Sequence, residues 1–337
     1  MKKSLVVCAA SLLSCFLVYA QEADNSGRGV GLSVIPRLDL NPVFSTSKDG
    51  SGEFTLGNSS LYSLFEGNIS ESLSFSIANH WLSGDKESIK ALYQNTWRSD
   101  DVNWLDWAYL TYAFGNFSVS AGKQPMTTGG FELDAYDFEE DPFLNSSVWN
   151  MLNIYQWGVK FDWTNEAENT TLAVQMTTSP YGERPFSSKL FNYSLEWRGE
   201  YGGFENIWSV TAINRDKGDY LPFVTLGQRY NFNDQWTVGL DLFSAGGCEE
   251  DILDKGVVAI PSLIYRPIEN LSLTGKVVAE YNKVTDNRDY IFGLIAEWLP
   301  LKDSEDLHIH VSTGYHKDLD CVSVNIGAIY YLNFPHR

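Results

Sequence analysis

The sequence predicts an all-β protein: a transmembrane antiparallel barrel of about sixteen strands, with long loops on one rim and an inward-folded third loop. Three observations predict it. The chain opens on an export signal, it repeats segments of about ten residues with period-two polarity, and its connections alternate between short and long.

Residues 1 to 20, MKKSLVVCAASLLSCFLVYA, set Lys2 and Lys3 before an apolar run that closes on Ala20, the pattern of a secretory signal peptide. Leu13-Ser14-Cys15 offers a rival, lipoprotein-type processing site, although Phe16-Leu17-Val18 continues the apolar run beyond it. The expected organisation is a signal peptide over 1–20, a short periplasmic segment over 21–28, and a barrel over 29–337. No later stretch has the roughly 18 to 20 uninterrupted apolar residues that a spanning helix needs. A membrane would therefore be entered by strands.

The period-two segments are legible residue by residue. Trp157, Val159, Phe161 and Trp163 alternate with Gly158, Lys160 and Asp162. Phe191, Tyr193, Leu195 and Trp197 alternate with Asn192, Ser194, Glu196 and Arg198, and Trp236, Val238, Leu240 and Leu242 with Thr237, Gly239 and Asp241. Val322, Val324, Ile326, Ala328, Tyr330, Leu332 and Phe334 share a last face. Period two places each set on one side of a sheet.

Alternation alone also suits a secreted soluble β-sandwich, so the connections decide between the two. Short ones fall at 71–72, 115–116, 165–169, 199–203, 233–234, 269–270 and 302–306. Longer, more polar ones fall at 46–52, 84–103, 124–152, 180–188, 214–219, 245–255, 284–289 and 316–321. Such asymmetry with an even strand count marks a membrane barrel and leaves both ends on the periplasmic side. Tyr109, Tyr112, Phe114, Phe117, Trp163, Trp197, Phe232, Trp236, Trp298, Tyr330 and Phe334 sit beside turns, where they would form interfacial girdles.

Composition narrows the function. The chain has 24 basic and 43 acidic residues, and loss of Lys2 and Lys3 with the signal leaves 22 against 43. That balance disfavours nucleic acid and anionic lipid headgroups as partners. With 11 Trp, 18 Tyr and 19 Phe the chain is no disordered acidic tail. Cys8 and Cys15 leave with the signal, and Cys248 and Cys321 remain as candidates for a disulfide between two long loops.

The longest loop, 124–152, joins the fifth strand to the sixth and carries Glu132, Asp134, Asp137, Glu139, Glu140 and Asp141 beside Phe131, Tyr136, Phe138 and Phe143. Folded into the lumen, it would pin itself with apolar residues and turn its carboxylates to the passage, favouring cations. The alternative is an exposed acidic loop, bridged by divalent cations to surface lipopolysaccharide. The phase of the strands points Arg37, Asp39, Lys160, Asp162, Glu196, Arg198, Arg229, Asp241, Arg266, Lys276, Glu280 and Glu297 inward. Arg229, Arg266 and Lys276 would form a basic strip opposite the acidic loop, with Arg37 also lining the pore.

Residues 107–125, WAYLTYAFGNFSVSAGKQP, resemble the hairpin before the constriction loop in the phosphate-selective porin O and P family, Gly122-Lys123 and Pro125 matching its Gly-Lys/Arg and nearby Pro. The resemblance implies a sixteen-stranded, trimeric porin. Anion-selective members line the pore with basic residues, and only Lys123 matches by motif here. The resemblance therefore points to anions and the acidic loop to cations.

The expected function is an outer-membrane channel of a Gram-negative bacterium for small hydrophilic solutes, without cofactor. A barrel-type lipase or protease is the alternative of a different class. His308 and His310 share one face and suit a metal only with a third ligand, which is not evident nearby. No G-x-S-x-G, H-E-x-x-H or nucleotide-binding motif appears.

Overall fold

The computed structural model describes residues 29–45, 52–56, 58–83, 105–182, 185–245, 256–283, 286–301 and 304–336. The expected signal peptide, the segment 21–28, loop 84–103 and Cys248 lie outside the described residues.

Within them the chain is almost entirely strand. Its segments are β1 (Val30–Ser45), β2 (Gly52–Thr55), β3 (Ser60–Ser70), β4 (Leu73–Ser83), β5 (Leu105–Phe114), β6 (Phe117–Pro125), β7 (Tyr155–Thr164), β8 (Thr170–Thr178) and β9 (Phe191–Tyr201). There follow β10 (Phe204–Asp216), β11 (Asp219–Asn231), β12 (Trp236–Ala245), β13 (Gly256–Ile268), β14 (Leu271–Asn282), β15 (Asn287–Trp298), β16 (Leu307–His316), β17 (Cys321–Tyr330) and β18 (Leu332–His336). From β3 to β17 each pairs antiparallel with the next, and β1 closes the sheet by pairing with β17 and β18 on one edge and with β2 and β3 on the other. Because β2 continues into β3 and β17 into β18 along β1, the eighteen segments make sixteen wall strands.

Polarity is inverted relative to a water-soluble protein. On β9, Asn192, Ser194 and Glu196 are buried while Tyr193, Leu195 and Trp197 are exposed. On β1, Asp39 is 0% exposed beside Leu38 at 64%. A sheet that buries its polar side and exposes its apolar side has hydrocarbon, not water, as its fitting surroundings. This is the evidence against a soluble sandwich, whose inner faces would be apolar.

Aromatic rings gather where strands meet the short turns. Tyr112, Phe114, Phe117 and Phe161 stack in series at centroid distances of 5.9, 5.8 and 5.5 Å, and Trp236 stacks on Tyr265 at 4.2 Å. Tyr109 departs from the expected girdle. It lies in the phase of Trp107 and Thr111 on β5, on the lumen side, because each strand offers its girdle only alternate positions.

Several expected loop boundaries shift, and two of the shifts change how residues are placed. The connection expected at 214–219 is a tight turn at Lys217 and Gly218, since β10 and β11 stay paired out to Asp216 and Asp219. Cys321 stands not in a loop but as the first residue of β17, buried and paired with Ser45 and His316.

Replacing Leu195 at the middle of β9 by Arg puts a charge on the apolar face. In lipid vesicles the urea unfolding free energy should fall by about 2–4 kcal/mol.

Candidate functional site: the lumen and its inner loop

The β6–β7 connection, residues 126–154, turns into the barrel. It contains two short helices, α1 (Phe131–Asp134) and α2 (Ser147–Met151), and a 3-10 turn at Pro142–Leu144. Helices of four or five residues have no stability of their own, so the wall must supply it. Asp241 of β12 accepts from the backbone N–H groups of Phe131 (3.1 Å) and Glu132 (2.9 Å) at the start of α1. Glu280 of β14 accepts from the Ser147 N–H (2.7 Å) and hydroxyl (2.5 Å) at the start of α2. Two wall carboxylates thus satisfy the orphan donors of the loop's helices and sit where the peptide dipoles are positive.

One side of the loop seats on apolar wall. Leu133, Leu144, Val148, Leu152 and Ile154 pack with Ile213, Leu221, Phe223, Phe243, Val258, Ile260, Val278 and Ile291, inward positions of β10 to β15. Glycines clear the space. A Cβ on Gly314 would lie 2.2 Å from a Leu144 methyl. At Gly130, with φ at +81°, a Cβ would meet the Phe243 ring at 2.8 Å, so neither backbone freedom nor room exists for another residue. The opposite side seats on rings. Tyr136 stacks on Trp107 of β5 (5.5 Å) and on Phe138 (4.9 Å), and Phe138 packs against Tyr62 of β3 (5.1 Å) and Tyr331 (6.2 Å).

The loop's carboxylates fasten it as well, contrary to the expectation that apolar groups pin the loop while acids face the passage. Asp134 takes a two-pronged bond from Arg198 (2.8 and 2.7 Å). Glu132 accepts from the Ser146 N–H (3.0 Å) and lies 3.6 Å from Lys276. Asp141 accepts from the hydroxyl of Ser312 on β16 (2.5 Å) and the Phe143 N–H (3.2 Å). Glu139 accepts from Tyr331 Oη (2.7 Å), and Asp137 bonds Tyr155. Glu140 contributes its backbone carbonyl: Arg37 Nη1 donates to it and to the carbonyl of Phe138, both at 2.7 Å. Among the described residues its carboxylate makes no hydrogen bond or ion pair. The reason for the departure is burial: polar groups enclosed by the wall must find partners, and the wall supplies them.

The basic residues read as pore-lining are distributed in the same way. Arg37 pairs with Asp39 (2.8 Å), which also meets His310 (3.0 Å) and Asn325 (2.9 Å). Lys123 donates to the Leu105 carbonyl (2.5 Å) and is buried. Arg229 stacks over the Phe131 ring at 3.9 Å, and Lys276 donates to Asn145 (2.6 Å). Arg229 and Lys276 share one cross-strand row through Gly239 and Ser262. Arg266 falls outside that row, near the short turn at 232–235, with a bond to Thr237 (3.2 Å). The expected strip of three is therefore two, because Arg266 lies further along β13 than the Ser262 that continues the row.

His308 and His310 do share a face, and each turns to a carboxylate, Glu297 (2.8 Å) and Asp39 (3.0 Å) respectively. Among the described residues no group of three His, Cys, Asp or Glu side chains is placed to hold a metal. Sequence reasoning offers His80 as a candidate base among the histidines but misses its neighbours Asp106 and Tyr62. His80 Nδ1 lies 2.6 Å from Asp106, beside Asp137 of the loop.

Removal from water raises the carboxyl groups of Glu132, Asp137 and Glu139 to about 7. Lys276 opposes the rise at Glu132, whereas Asp106 adds to it at Asp137. Acids raised in the folded state bind protons that the unfolded chain has released, so docking is strongest below about pH 4.5 and weakens as pH rises through 7. Protection of the backbone amides over 131–141, taken relative to the intrinsic exchange rate at each pH, should accordingly be greater at pH 5 than at pH 8. Gly314→Leu should dislodge Leu144 and open 126–154 to proteinase K, while the wall strands stay resistant.

No protein-family model matches the sequence, and no curated protein matches it. Solved structures do match the fold. The outer membrane channel DcaP of Acinetobacter baumannii superposes with a TM-score of 0.63 at 14% identity, covering 92% of this chain and 99% of that one. An engineered mutant of the Rh. blastica porin superposes at 0.60 with 13% identity, covering 90% and 100%. The fold of this chain is that of the bacterial porins: a closed antiparallel barrel of sixteen strands.

Proposed function

We propose that the protein is an outer-membrane porin, a passive diffusion channel for small hydrophilic solutes and ions. The observation that carries this reading is a barrel with apolar residues outside, polar residues inside, and the β6–β7 loop seated in its lumen. The short-turn rim faces the periplasm and the long-loop rim the exterior, in a homotrimer embedded in outer-membrane lipid. Barrel folds similar to this one belong to proteins described as a porin and an outer membrane channel.

Loop 126–154 acts as the constriction. Its net effect is a weak preference for cations, since Arg37, Arg198 and Lys276 are held by partners while the Glu140 carboxylate makes no hydrogen bond or ion pair among the described residues. Of the basic lining implied by the likeness to phosphate-selective porins only Lys123 matches by motif, and its ammonium is engaged by a carbonyl, so anion selectivity is not part of the proposal. Asp137 and Glu139 gain charge as pH passes about 7 and strengthen the preference.

Conductance across planar bilayers tests the reading directly. The purified, folded protein should form open channels, and their absence would reject the proposal. In a salt gradient, Glu140→Gln should move the reversal potential toward zero, and raising the pH from 5 to 8 should move it the other way. An unchanged potential in both experiments would remove the loop from the pathway.

A further inference from the structure

The outer wall over β13 to β17 carries a groove of about 590 Å³ lined by Pro261, Leu263, Gly275, Val277, Leu294 and Val322. Gly275 makes its floor: a Cβ there would have only a Leu294 methyl within 4 Å, at 3.5 Å. The groove continues through Phe292 and its cross-strand partner Tyr315 toward the long-loop rim. At that rim stand two cations. Arg288 lies over the Tyr281 ring at 5.6 Å, and Lys317 over the Tyr290 ring at 5.6 Å while donating to the Arg288 carbonyl. Tyr281, Arg288 and Tyr290 share the outward phase of Phe292 and Leu294, so both cations overlie the lipid side of the wall.

Of the neighbouring described acids, all but Asp318 are engaged elsewhere. Asp289 pairs with His316 on the lumen side, Asp286 accepts from Tyr281, Asp318 from Asn287, and Asp320 from Tyr315; Lys317 also lies 3.7 Å from Asp318. In a chain with 43 acidic residues, exposed Arg288 and Lys317 above an apolar trough form an amphipathic surface. Tyrosines at this level suit the boundary between headgroups and acyl chains.

We infer that this face binds a phosphate-bearing lipid of the outer leaflet, its acyl chain in the groove over Gly275 and its phosphate between Arg288 and Lys317. The inference rests on the proposed orientation, long loops outward, but not on conduction. Juxtamembrane cations each contribute about a fivefold gain in affinity for an anionic lipid surface, so removing both should weaken binding roughly thirtyfold.

The test is native mass spectrometry of the full protein, extracted in mild detergent and incubated with diphosphorylated lipid A or its dephosphorylated form. The wild type should retain the phosphorylated form selectively. Arg288→Gln with Lys317→Gln should lose that selectivity, and Gly275→Leu should lose retention by filling the groove. Unheated gel mobility confirms that each variant is folded, and Val277→Trp fills the groove from the adjoining position should Gly275→Leu misfold. Equal retention of both lipid forms by the wild type, or wild-type retention by the double variant or by the folded groove variant, would overturn the inference. Bilayer conductance should be the same in all variants, so a failure of the channel reading and a failure of lipid binding show in different measurements.

Discussion

Everything in this molecule depends on the seam at which β1 meets the end of the chain. Leu32 pairs with Phe334 on one side and Phe65 on the other, so the first strand has no open edge along that stretch. In hydrocarbon an unpaired backbone amide costs several kcal/mol, and a sheet of this size has no stable open form there. Closure has a second consequence. It encloses a volume whose lining includes Asp39, Asn192, Glu196, Asp241 and Glu280 beside the apolar patch of β10 to β15.

An enclosed polar lining demands partners, and the inner loop answers that demand. Its two helices are too short to persist alone, and Asp241 and Glu280 cap them from the wall. The loop in turn gives Arg198 its carboxylate and Arg37 its carbonyls. Apolar packing against β10 to β15 and ring stacking against Trp107 and Tyr62 hold the two flanks. Loop and wall therefore complete each other's hydrogen bonding. Charge that would otherwise line the passage is partly spent on that fastening.

Much of the wall was legible before folding because period two is a local property. The set Tyr193, Leu195, Trp197 could only lie on one face, and Asn165 to Asn169 or Glu269-Asn270 could only be turns. The hairpin at Asp216 and Asp219 was misread as a loop, since polar residues at strand ends look the same whether or not the strands remain paired. Tyr109 was misplaced for a related reason: nearness to a turn does not decide which face a ring takes. The six acids of the inner loop were recognised as a group, but their partners lie up to 192 residues away, as Glu139 and Tyr331 do. No spacing rule reaches that far.

By itself the sequence determined that the chain forms about sixteen paired strands and which residues of a strand share a face, because strand geometry alternates side chains whatever surrounds them. Only the tertiary structure decided what the inward residues do. The same carboxylate, on a loop folded back through the lumen, is a pore charge if it meets water and a fastening if it meets Arg198 or Ser312. That outcome is set by enclosure and by the shear of strands far apart in the chain, neither of which is written locally.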